Sequence, residues 1–221
     1  MSTNRRYGDG CAIAVALDHI GERWALLVVR ELLLGPKRFT DLQEGLPRAG
    51  AKVLAQRLKE LESTGVVRRR KLPPPASSQV YELTGWGAGL EPVVVALGHW
   101  GAPDAESTED RVGADSAMIK LRSLFESQPD RLWTSTYEMR LGRDRFSVRV
   151  VDGALIEMRR GEVQGTPDAV VSTDADTLAR IIGVPRGLTR AIDDGRVVLT
   201  GDREAGRRLF EAVRPGSAVI A

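Results

Sequence analysis

"KVLAQRLKELESTGVVRRRKLPPPASSQVYELT", residues 52–84, decides the architecture of the N-terminal half of the chain. Leu54, Leu58 and Leu61 recur at spacings of 4 and 3, the period of a helix with one buried face. At roughly 100° per residue the opposite face carries Lys52, Gln56, Lys59 and Ser63. Gly65 stands where a helix closes on a left-handed residue. The period then changes. Val66 to Leu72 and Val80 to Thr84 read as two strands, and the proline/serine segment between them is too long for a two-residue hairpin.

Upstream the pattern is helical. Ala12 to His19 forms one short helix, and Arg23 to Leu34 is apolar almost all round, a central buried helix stopped by Gly35-Pro36. Phe39 to Leu46 is another, with Thr40 placed to cap it. Gly50 to Ser63 is the helix of the opening stretch. Downstream, Glu91 to Trp100 starts with Pro92 in its first turn and carries Val93, Val94, Leu97 and Trp100. The order is four helices, a hairpin and a helix.

Charge is distributed unevenly along this pattern. The chain has 221 residues and a formal net charge of +2, yet between Lys37 and Lys71 ten basic residues face only Asp41, Glu44, Glu60 and Glu62. Such a patch attracts a polyanion. Arginine is abundant throughout, so any single cation reads equally well as a solvated face or a blunted strand edge.

The ordered constellation says more than its parts. A short helix, a tight turn and a second helix with an outer stripe of Lys52, Gln56 and Lys59 match a helix-turn-helix, whose second helix enters the major groove. Gln bonds adenine, Lys serves guanine or phosphate, and Val53 beside the stripe suits a thymine methyl. Arg68, Arg69, Arg70 and Lys71 on the following strand suit phosphates or the minor groove, although alternation aims only about half of them one way. Lys37, Arg38, Thr40 and Arg48 ahead of the helix, Arg57 on it, and Ser77 and Ser78 beside the proline tip complete the candidate DNA surface.

"CAIAVALDHIGERWALLVVRELLLGPKRFTDLQEGLP", "LAQRLKELESTGVVRRR", "YELT" and "LGHWG" closely resemble the HxlR family of winged-helix transcriptional regulators, relatives of the MarR proteins, over residues 11–101. The resemblance implies a homodimer on a roughly palindromic DNA operator, with the helices near Cys11 and at Glu91 to Trp100 at the interface, and repression as the expected mode. It also places Cys11 where several relatives have a redox- or electrophile-sensing cysteine. By its own chemistry Cys11 reads instead as a small buried residue. Where the family pattern suggests a Ser or Asn cap before the recognition helix, this chain has Gly50-Ala51.

"GAPDAESTEDRVGADS", residues 101–116, is acidic and poor in apolar residues, and reads as a linker. The expected organisation is a winged helix-turn-helix domain at 1–103, a linker at 104–115 and a second domain at 116–221, an α+β fold overall. After the linker comes an amphipathic helix, Ser116 to Ser127. Alternating strands follow at 133–141 and 146–150, with turns at Leu141–Asp144 and Asp152-Gly153. Further elements at 155–159, 169–172, 174–182, 188–193, 196–200 and 203–213 complete an antiparallel sheet with helices over its apolar face. "TYEMRLGRDRFSVRVVDGALIEMRRGEVQGTPDAVVSTDADTLARIIG" and "AIDDGRVVLTGDREAGRRLF" resemble the sterol-carrier-protein fold. That resemblance implies a tunnel for an apolar effector, lined by Trp133, Tyr137, Met139, Phe146, Leu178, Ile181, Leu188 and Ile192. Each of these reads equally as plain core.

Enzymatic chemistry gains little support. One cysteine and two histidines make no metal cluster, Gly85-x-Gly87-x-Gly89 lacks the dinucleotide spacing and context, and Asp174/Asp176 and Asp193/Asp194 read as a helix N-terminal pair and a turn. No cofactor or metal is expected. The absence of a signal-like N-terminus and of a membrane-length apolar run leads to the expectation of a cytoplasmic protein without membrane contact. Two function classes therefore compete with a ligand-responsive DNA-binding regulator: an intracellular lipid or sterol carrier, and a thiol redox sensor acting through Cys11.

Overall fold

The computed structural model describes residues 6–73, 77–105, 110–128 and 130–214. Of the proline tip only Pro73 is included; Pro74 and Pro75 lie outside the described residues, as do residues 106–109 of the expected linker. The chain divides into two compact units between Val94 and Val95, inside a helix that runs from Glu91 to Ala105.

The first unit contains α1 (Ala12–Ile20), α2 (Ala25–Leu32), α3 (Phe39–Gly45), a single 3-10 turn (Pro47–Ala49), α4 (Ala51–Ser63), β1 (Val67–Lys71), β2 (Gln79–Leu83), α5 (Gly85–Ala88) and the start of α6 (Glu91–Ala105). Ala25, Val28, Val29 and Leu32 of α2, Leu42 of α3, and Leu54, Leu58 and Leu61 of α4 form one core with Val66 and Val67. β1 and β2 are antiparallel, and the other edge of β2 is held by reciprocal backbone bonds between Lys37 and Tyr81. The hairpin is thereby pinned to the segment before α3.

Local details depart from the sequence pattern for physical reasons. α2 begins at Ala25 rather than Arg23 because Trp24, at φ 77°, is left-handed and outside the helix. α3 is capped at Arg38, not by Thr40: the Asp41 carboxylate accepts the Arg38 N–H at 3.0 Å, and Thr40 is exposed. The Gly85–Gly89 run folds as α5, with Thr84 Oγ1 accepting from Gly87 N at 3.0 Å.

The second unit, beyond the first turn of α6, contains α7 (Ala114–Leu124), β3 (Ser135–Leu141), β4 (Asp144–Val151), β5 (Ala154–Arg160), β6 (Ala169–Thr173), α8 (Ala175–Ile181), α9 (Gly187–Asp193), β7 (Val198–Gly201) and α10 (Arg203–Glu211). The strand order is β5-β4-β3-β6-β7. Contrary to the expected antiparallel sheet, it is mixed: β6 runs parallel to β3, and the other pairings are antiparallel. Residues 161–168 carry the chain back from the end of β5 to the start of β3, so β6 enters in the direction of β3. Tyr137, Met139, Phe146, Val148, Val150 and Val171 are buried on one face, in register across β4, β3 and β6.

Candidate nucleic-acid interface

α4 displays its outer stripe because the inner one is fully used. Leu54, Leu58 and Leu61 are 0% exposed, which fixes the rotation of the helix and leaves Lys52, Val53, Gln56, Lys59 and Ser63 in solvent. The missing Ser or Asn cap has a backbone reason. Gly50 sits at φ 63°, ψ 146°, a conformation essentially confined to glycine. Gly65, at φ 77°, ends the helix and starts the hairpin.

The exposed stripe offers charge without internal neutralisation. Lys52 and Lys59 form no ion pair among the described residues. Val53 is 44% exposed. Gln56 is exposed but tethered, its Nε2 donating to Glu60 Oε1 at 2.7 Å. Together these side chains present two ammonium donors, an amide and a branched apolar group on one side of the helix, a set able to meet base edges and phosphates.

Two of the candidate contact residues belong to the scaffold instead. Lys37 is only 4% exposed and its Nζ is paired with Glu31. Arg57 is 9% exposed and spans back to the turn between α1 and α2, its Nε donating to the Arg23 carbonyl at 3.1 Å. Its other nitrogens pair with Glu60 and, at 3.4 Å, with Glu22. A charge census counts both as cations of the patch because it cannot see buried partners.

Around Lys37 the carboxylate of Glu31, itself 2% exposed, also accepts from Arg30 at 2.8 Å. Burial works against the charged carboxylate, but Lys37 and Arg30 outweigh it and hold its pKa below the ordinary value. A β-carbon at Gly45 would collide with this carboxylate, so the ion pair also governs the packing at the end of α3.

The remaining candidates are at the surface. Arg38 Nε donates to Ser78 Oγ at 3.1 Å, joining the start of α3 to the hairpin. Thr40, Arg48 and Ser77 are exposed. On β1, alternation separates the cations: Arg68 and Arg70 both pair with Glu82, each at 2.8 Å, whereas Arg69 pairs with Glu62 at 3.0 Å and lies over the Tyr81 ring. Glu82 is partly desolvated, yet the hydrogen bonds from Arg70 and Arg68 lower its pKa. Lys71 is exposed and without an ion pair among the described residues. The sequence pattern names Glu60 and Glu62 only as opposing charges and omits Glu82; the structure pairs Glu62 and Glu82 with the β1 arginines and Glu60 with Arg57. The spacings Gln56/Glu60 and Arg57/Glu60 were the available signal, since residues three and four apart on a helix are neighbours.

In the second unit Trp133, Tyr137, Met139, Phe146, Leu178, Ile181 and Leu188 are buried and Ile192 is half-buried. Trp133 Nε1 donates to Tyr137 Oη at 3.0 Å, and burial raises the Tyr137 pKa. Asp174 caps α8 by accepting from Thr177 N at 2.8 Å, and Asp194 pairs with Arg196. Cys11 is exposed in the single chain, just ahead of a helix on which Ile13, Val15 and Leu17 are also exposed. No group of three or more His, Cys, Asp or Glu among the described residues could hold a metal, and no described helix is long and apolar enough to cross a membrane.

A short helix, a turn, a second helix with a polar outer stripe and an attached two-stranded hairpin define a helix-turn-helix DNA-binding protein. The family described as HxlR-like helix-turn-helix matches residues 19–109. The chain is 39% identical over 85 residues to the uncharacterized HTH-type transcriptional regulator YvaP of Bacillus subtilis (strain 168), covering 38% of this chain and 79% of that protein. It is equally 39% identical over 85 residues to the HTH-type transcriptional regulator YodB of the same organism, covering 38% and 76%. The solved structure of the redox regulator HypR in its oxidized form is 32% identical, over 46% of this chain and 100% of that one, with a TM-score of 0.39. The chain belongs to the HxlR-like helix-turn-helix family of transcriptional regulators, which are DNA-binding proteins rather than enzymes.

Proposed function

We propose that α4 lies in the major groove of an operator, with Lys52, Val53, Gln56 and Lys59 toward base edges and neighbouring phosphates. Arg38, Thr40 and Arg48 flank it on the backbone, and the hairpin cations Arg68 to Lys71, with Ser77 and Ser78, follow the phosphates or minor groove. The observation that carries this reading is the exposed stripe of α4, whose two lysines have no ion pair among the described residues while its leucines are fully buried. Two chains pair through α1 and α6. In support, Ile13 and Leu17 on α1 and Val93 at the start of α6 are exposed in the first unit, and Leu97 and Trp100 further along α6 are exposed in the second, Trp100 by 81%; exposed apolar side chains on helices are the material of association sites. Operator binding by this dimer represses transcription. An apolar ligand held between the sheet and helices of the second unit, which is read as sterol-carrier-like, modulates it.

Duplexes recovered by the full chain from a randomised pool at about 50 mM salt are expected to carry two inverted half-sites about one helical turn apart. Recovery of unrelated sequences, or of none, contradicts the proposal. A second reading, thiol regulation, is favoured by the exposure of Cys11. With a single cysteine per chain, a protein disulfide through Cys11, formed with a two-electron oxidant such as diamide, would link two chains.

A further inference from the structure

We propose that Glu60 determines which base Gln56 recognises, an inference that rests on the placement of α4 against base edges. Gln56 Nε2 donates to Glu60 Oε1 at 2.7 Å, and Glu60 Oε2 accepts from Arg57. Arg57 is itself fixed by the Arg23 carbonyl at 3.1 Å and the Glu22 carboxylate at 3.4 Å. The relay thus runs from the turn between α1 and α2 to the middle of the exposed stripe.

Each link has a chemical direction. A guanidinium only donates and an ionised carboxylate only accepts. The Gln56 amide must therefore turn its NH2 group to Glu60 and its carbonyl away. Shape alone leaves an amide's two ends nearly equivalent; here the carboxylate decides between them. The edge left for a base is the Oε1 acceptor with the second N–H. Adenine presents an N6 donor beside the N7 acceptor and complements that edge, whereas guanine presents the adjacent acceptors O6 and N7 and sets one of them against Oε1. The relay therefore selects an A·T pair under Gln56. Glu60 is a positioning residue and does not touch DNA.

The substitution Glu60→Gln inverts the relay without changing its shape. Arg57 still only donates, so the new amide turns its oxygen to Arg57 and its NH2 to Gln56. Gln56 then accepts through Oε1 and points Nε2 outward, which suits guanine.

The test measures the Kd of wild type, Glu60→Gln, Glu60→Ala and Gln56→Ala by mobility shift. The probes are a duplex selected by wild type from a randomised pool and its single-base variants. Wild type is expected to prefer adenine over guanine about tenfold at one position of each half-site. Gln56→Ala and Glu60→Ala flatten that preference, and Glu60→Gln reverses it toward guanine at that position alone. A merely structural role for Glu60 would weaken binding to all variants equally. If Gln56→Ala erases the preference while both Glu60 variants retain it, Gln56 reads its base unaided; the inference falls and the placement of α4 stands. If Gln56→Ala alters no position, the inference and the base-reading role of Gln56 fall together. Should Glu60→Ala lower the melting temperature, the isosteric Glu60→Gln variant carries the decision.

Discussion

Replacing Lys37 by alanine is expected to destabilise the first unit by about 3 kcal/mol, the lower end of the range for removing one partner of a buried ion pair. The lower end applies because Arg30 still reaches Glu31 at 2.8 Å when Lys37 is gone. Removing Lys37 leaves a carboxylate that is 2% exposed with half its compensation, and it slackens the segment whose backbone pairs with Tyr81 on β2. Urea unfolding of the first unit should show a lower midpoint with unchanged slope; a loss below about 1 kcal/mol, the scale of exposed pairs, contradicts the assignment. Replacing Glu31 and Lys37 together by Leu and Met should recover much of the loss, since well-packed apolar substitutes often match a buried pair. The pH dependence has a definite sign. Glu31 titrates lower in the folded state than its ordinary value, so its contribution is present above the unfolded carboxylate pKa of about 4.3 and is lost as pH falls through the folded value. Burial is the largest single influence on Glu31 and Lys37 the largest one opposing it, so the Lys37→Ala variant should lose that acid limb.

Reversing both lysines of the stripe, Lys52→Glu with Lys59→Glu, is expected to weaken binding to a selected duplex about a hundredfold per half-site at low salt. Two charge-assisted contacts disappear and two repulsions replace them. The salt slope should become shallower by about two units per half-site. Folding should be little affected. Lys52 and Lys59 have no ion pair among the described residues. A glutamate at position 52 sits in the first turn of α4, where the helix dipole favours it, and one at position 59 costs at most about 1 kcal/mol. Unchanged affinity in the folded double variant would remove α4 from the interface.

α4 and its hairpin were readable in the sequence because both are local: a 4/3 leucine stripe, a glycine at the turn and a change of period. Tertiary partners were not readable. Lys37 and Lys52 carry the same charge in a census, yet one meets Glu31 in the interior and the other meets solvent. Arg57 looked like part of the outer face, but the turn at Glu22–Trp24 folds over it, and nothing within α4 announces that. Trp24 defeated the helix boundary because its left-handed backbone runs against the preference of a bulky residue. In the second unit the hairpins were legible from Gly142 and Asp152-Gly153, whose positive φ angles make the turns. The parallel pairing of β6 with β3 was not legible, because it joins segments about thirty residues apart and strand patterns do not encode direction.

The position of α4 on DNA can be read with one attached probe. Cys11 is the only cysteine in the chain, so Cys11→Ser combined with Val53→Cys gives a single attachment point on the exposed side of α4 for an iron chelate. Bound to a selected duplex, this protein is expected to cleave both strands within each half-site, centred on the base pairs whose substitution weakens binding. A variant that binds the same duplex and leaves its half-sites uncut would contradict the placement of α4 against the bases.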